Sequence, residues 1–79
     1  MHAILKLLGR NIRRLRLARD MTPEQLAKKA DVSVSVLERI ETGKGNPGID
    51  AVFRLARALG VQPAELFMDI PPRGSRRRN

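Results

Sequence analysis

The sequence predicts an all-α fold, a compact bundle of five helices around one small core. Apolar residues recur at helical spacing through most of the chain. Helix-starting and helix-stopping residues interrupt that pattern at Thr22-Pro23, Ser33, Gly43 and Gly60. At 79 residues the chain is long enough for one modest hydrophobic core and no more.

In the first helix Ile4, Leu8, Ile12 and Leu15 lie three to four residues apart, which allows a start near Ala3 and an end near Arg19. Gly9 falls inside it and costs about 1 kcal/mol relative to alanine. The firmer segment is therefore Arg10 to Arg19. Residues 1–8 form an apolar lead-in or helix extension whose Ile4, Leu5 and Leu8 either cover the core or meet a second subunit. Asp20 and Met21 link to the next helix, with Met21 a plug for the core.

Thr22 is a good N-cap, Pro23 suits the first helical position, and Gln25 completes a capping-box spacing. Leu26, Ala27 and Ala30 give this second helix a narrow apolar edge. Asp31 and Val32 make a tight turn, and Ser33 caps a third helix. Val36, Leu37 and Ile40 are expected to point inward from it, and Gly43 to end it in the left-handed conformation. Lys44 to Gly48 read as a loop on turn chemistry. A fourth helix is expected from Ile49 to Leu59, with Ile49, Val52, Phe53, Leu55, Ala56 and Leu59 apolar, a stripe wide enough that Phe53 is expected to be partly exposed. Pro63 opens a short fifth helix whose Leu66 and Phe67 should close the core. The bundle thus spans residues 9–68, and residues 69–79 form a basic tail too polar and charged to pack, expected to be disordered.

Composition narrows the function. Cysteine is absent, which removes disulfides, thiolate metal sites and thiol nucleophiles. His2 stands alone near the start and is read as inert. No stretch has the apolar length of a membrane span, and the MHAILKLL start lacks a long apolar region and a cleavage site, so a cytoplasmic location is expected. Sixteen basic residues against eight acidic ones give a net charge of +8, which suits a polyanionic partner. Arg10, Arg13, Arg14, Arg16 and Arg19 crowd the first helix, and Arg73, Arg76, Arg77 and Arg78 stand at the end. Without those last four the net charge is about +4. A basic helix reads as a phosphate clamp or a membrane-surface helix; any single arginine there is more often a solvated surface residue, but the group of five favours phosphate contact.

The outer face of the third helix carries Val34, Ser35, Glu38, Arg39 and Thr42. These are short or planar-headed groups. A helix fits the major groove of DNA, where an arginine fork can bond guanine and a methyl group can touch thymine. The layout is that of a helix-turn-helix, whose second helix reads the bases. Arg39 is expected on a guanine and Val34 on a thymine methyl. One such helix contacts few base pairs, so a dimer is expected, with Val61, Pro63, Phe67 and Met68 as contact candidates and Ile4 and Leu5 after them.

The segments GRNIRRLR, MTPEQLAKKADVS, VLERIETGKGNP and IDAVFRLARALGVQPAELF, in that order, resemble the XRE family of phage repressors and Cro. The resemblance runs from about Gly9 to Phe67 and implies a lambda-repressor-like domain binding double-stranded DNA at near-palindromic operators as a dimer. It implies base contacts from Val34, Ser35, Glu38 and Arg39. Phosphate contacts would come from Gln25, Lys44 and Asn46, with Ser33, Thr42, Arg13 and Arg14 beside them. It also implies an ion pair between Arg16 and Glu41, tying the first helix to the third. Pro23 departs from the pattern, since the family commonly has glutamine there.

An enzyme is not expected, because no carboxylate pair, metal-ligand cluster or nucleophile with a base is legible. Nothing calls for a cofactor or a metal. The reading is a sequence-specific regulator of transcription, a dimeric repressor. The alternative is an antitoxin of the same fold that also binds a partner protein. A protein-interaction adaptor that keeps the fold without specific DNA binding fits less well with the basic reading face and loop.

Overall fold

A computed structural model of the chain describes residues 3–69. The readings of His2 and of the segment from Ile70 to Asn79 lie outside the described residues. Four α-helices follow in order: α1 (Ala3–Ala18), α2 (Pro23–Ala30), α3 (Val34–Glu41) and α4 (Ile49–Leu59). The last element, Pro63–Phe67, is a single 3₁₀ turn, so the expected fifth helix is corrected. Five residues opening on proline are too few for an α-helix to gain much from its own hydrogen bonds. Nor are its last carbonyls left to the helix, since the buried side chain of Asn11 donates from Nδ2 to Leu66 O and Met68 O, both at 2.8 Å.

The start signals operate as local chemistry. Thr22 Oγ1 accepts from Gln25 N at 3.1 Å while Gln25 Oε1 accepts from Thr22 N at 2.8 Å, closing the capping box. Ser33 Oγ accepts from Val36 N at 3.0 Å. Asp31 at the end of α2 has φ 60°, and Gly43 after α3 has φ 75°, so the chain turns sharply out of both helices.

α1 packs against α3 and the 3₁₀ turn, and α2 packs against α4 and α3. Leu8, Ile12, Leu26, Leu37, Leu55, Leu59 and Leu66 fill the core. α1 runs unbroken through Gly9, which is buried. A Cβ there would stand 2.8 Å from Glu41 O and still closer to Ile40 O. The missing side chain is what allows α1 to lie on the last turn of α3.

The expected core is corrected at Ile49 and Phe67. Ile49 is 74% exposed, because α4 buries the stripe of Val52, Leu55, Ala56, Ala58 and Leu59 and turns its first residue outward. Phe53 is 54% exposed, as the width of the apolar stripe leads one to expect. Phe67 is 38% exposed, and only Leu66 of the terminal turn seals the core.

Candidate nucleic-acid interface

α2, the left-handed Asp31 turn and α3 form one rigid corner. Leu26, Ala27 and Ala30 of α2 meet Leu37 and Ile40 of α3 in the core, which leaves the opposite face of α3 open. Ser35, Glu38 and Arg39 are exposed on it. The two valines exchange roles relative to the sequence reading. Val34 is half-buried and packs on the core, whereas Val36 is 39% exposed. Val34 precedes Leu37 by three residues and Val36 precedes Ile40 by four, so helical spacing admits either. Packing of the first turn of α3 draws Val34 in.

The groups expected at phosphates share a chemical feature. Gln25, Ser33 and Asn46 each spend an acceptor oxygen on their own backbone, Asn46 Oδ1 taking Gly48 N at 3.1 Å. Among the described residues the amide NH2 of Gln25 and of Asn46, and the hydroxyl hydrogen of Ser33, have no acceptor and can donate to an anion. Thr42 differs, because its Oγ1 donates back to Glu38 O at 2.9 Å and Arg39 O at 3.1 Å. Lys44 is exposed in the loop that follows. Arg13 and Arg14 are exposed on α1, where they line a depression with Arg10, Leu17 and Glu41 beside the last turn of α3. They flank the reading face and do not lie on it.

Arg16 is set apart from these arginines by burial, at 7% exposure. Its Nε donates to Glu41 Oε2 at 2.8 Å and its Nη2 to Glu41 Oε1 at 3.1 Å, a two-pronged ion pair joining α1 to α3. Its Nη1 donates to Met21 O at 2.8 Å, which also ties down the turn into α2. The Glu41 hydrogen bonds raise the Arg16 pKa, against burial, which lowers it. A raised pKa means that the stabilisation is fully present below the ordinary arginine range and fades only as pH climbs through the folded value. No pH dependence near neutrality arises from this arginine.

Sequence reasoning missed Asn11, Gly9 and Arg54. Asn11 is a polar residue next to the apolar stripe of α1, and that position is the one clue to its buried role. Arg54 Nη1 donates to Asp31 O at 3.0 Å, bracing the turn between α2 and α3 from α4. Among the described residues no group of three His, Cys, Asp or Glu side chains could hold a metal ion, and no helix is long and apolar enough to cross a membrane.

Two capped helices at a left-handed turn, the second with an open polar face, define a helix-turn-helix domain. A family model described as helix-turn-helix matches residues 12–66, and the chain belongs to that family. It is similar to a helix-turn-helix-type transcriptional regulator of Sinorhizobium fredii, 37% identical over 73 residues that cover 90% of this chain and 95% of the relative. It is also similar to the control protein C.BamHI of Bacillus amyloliquefaciens, 36% identical over 62 residues, covering 77% of this chain and 76% of that protein. Among solved structures it resembles the restriction-modification controller protein C.AhdI from Aeromonas hydrophila, with a TM-score of 0.77 and 33% identity over 80% of this chain and 96% of that one. The chain is a DNA-binding regulator of transcription.

Proposed function

We propose that the chain is a cytoplasmic, homodimeric repressor that reads a near-palindromic operator through α3. The observation that carries this reading is the outer face of α3, where Arg39 is exposed and its guanidinium has no hydrogen-bond acceptor or ion-pair partner among the described residues. Ser35 and Glu38 share that face as base contacts, and the exposed Val36 takes the thymine-methyl role assigned from sequence to Val34. Gln25, Ser33, Lys44 and Asn46 contact phosphates around it. Arg13 and Arg14 reach phosphates from the flank, while Thr42, with its hydroxyl turned inward, serves at most as an acceptor of water. Residues 9–68 are the DNA-binding unit, and α1 carries it back to Ala3. Arg39→Ala should cost about 1–3 kcal/mol on the cognate duplex and relax preference at one base pair. Equal weakening on all sequences, in a titration against base-substituted duplexes, would make Arg39 a phosphate contact only.

A second copy of the chain is proposed against Phe67 and Met68, both exposed, with Val61 and Pro63 half-buried beside them. Ile4, Ile49 and Phe53 extend this apolar surface, and they line one groove with Phe67. The same exposed groove keeps the antitoxin reading open as a second function, with a partner protein in place of the second copy. The mass of the complex on DNA separates the two.

A further inference from the structure

The loop after α3 folds back over the side chain that matters most to base readout. Lys44 N donates to Arg39 O at 2.9 Å, which brings the loop under the end of the helix. Gly43 and Gly45 are both left-handed, at φ 75° and 74°, and carry the chain across Arg39. A Cβ on Gly45 would stand 2.9 Å from Arg39 Nη2, 3.6 Å from Nε and 3.7 Å from Cζ. The space that a Gly45 side chain would take is thus occupied by the Nη2 edge of the Arg39 guanidinium. Val36, Ile40 and Pro47 line the same recess.

We propose that Gly45 is a specificity-determining positioning residue, whose missing side chain lets the Arg39 guanidinium rest on the loop and fixes the direction of its donors. The inference rests on the reading of α3 as the recognition helix and of Arg39 as a base contact. A planar fork bonds two atoms of a base edge only when its plane is correctly turned. A free arginine must give up rotamer freedom to reach that geometry, and one already supported gives up less. A Cβ at Gly45 meets only the far end of a flexible side chain. It therefore moves Arg39, and this loss appears in discrimination, on top of the backbone strain that any side chain meets at positive φ.

Gly48 supplies the control. Its φ is 81°, yet a Cβ there meets nothing within 4 Å. Gly48→Ala also puts a Cβ at positive φ, with ψ 153° in a region that only glycine adopts readily, and does so without touching Arg39. The test uses the full chain and duplexes selected by it from a random-sequence library, with binding measured on the selected duplex and on its single-base-pair variants. Gly45→Ala should lose about tenfold discrimination at the base pair that Arg39→Ala also relaxes, while Gly48→Ala keeps the wild-type profile. Combined with Arg39→Ala, Gly45→Ala should have no further effect on discrimination. Gly45→Asn, which tolerates the left-handed region better and still carries a Cβ, should repeat the loss and covers the case where the alanine variant melts early. Equal profiles for Gly45→Ala and Gly48→Ala, or an undiminished effect of Gly45→Ala without Arg39, would overturn the role of Gly45. If Arg39→Ala leaves every base-pair preference unchanged, Arg39 is not a reader and the inference falls with it.

Discussion

Arg16 shows how one residue can be structural among neighbours of the same type. Four arginines lie on α1 and Arg19 follows it, and of these only Arg16 is buried, with its guanidinium shared between Glu41 and the Met21 carbonyl. Removing one member of a buried pair strands the other and costs about 3–5 kcal/mol. Surface arginines typically matter by less than about 0.5 kcal/mol. Arg16→Ala should therefore lower the free energy of unfolding in urea severely, and Arg13→Ala should leave it near the wild-type value. Comparable small losses for both would remove the ion pair from the account. At this scale the sequence was only partly legible. The Arg16–Glu41 pair entered through the family resemblance, whereas the bond to Met21 O and the two-carbonyl grip of Asn11 depend on how the chain folds back. Val34 and Val36 both fit helical spacing, so no reading of period could choose between them.

Elements were more legible, because their ends are decided by neighbours in the chain. Thr22, Pro23 and Gln25 start α2 through contacts within four residues, and Ser33 starts α3 in the same way. The shortness of the terminal turn and its opening proline were legible, but the bond from Asn11 to Leu66 O, 55 positions apart in the chain, was not. Gly9 was misread as a weakness in α1. Its propensity cost of about 1 kcal/mol is real, but its absent side chain is where α1 touches the Ile40 and Glu41 carbonyls. Gly9→Ala should therefore destabilise the protein by about 1–3 kcal/mol, as overpacking does. On propensity alone the change would stabilise it. The sign of the change in denaturation midpoint decides which term dominates.

For the whole molecule, net charge and apolar exposure divide the surface by purpose. The chain carries +8, yet among the described residues no charged one lines the groove of Ile4, Ile49, Phe53 and Phe67. Two copies can meet there with little like-charge repulsion, which suits self-association of a basic protein. Phe67→Glu with Met68→Glu should shift the chain toward monomer in sedimentation while leaving its helical content intact. Unchanged mass would place the dimer contact elsewhere. The four arginines from Arg73 onward are expected to add sequence-independent affinity through counterion release. Cutting after Pro72 should flatten the slope of log affinity against log salt, and an unchanged slope would take those arginines out of the interface. Charge excess was legible from composition, and the width of the α4 stripe pointed to Phe53 as uncovered, but the exposure of Ile49 was not legible, because Ile49 fits the core pattern of α4 as well as Val52 does. The central claim, that α3 reads bases, is tested most directly by selecting binding sites from random duplex DNA at stated salt with the wild-type chain and with Arg39→Ala. The account predicts two inverted half-sites about one duplex turn (roughly 34 Å) apart, with a guanine in each that the variant no longer selects. An unenriched pool, or an identical motif from both proteins, would contradict it.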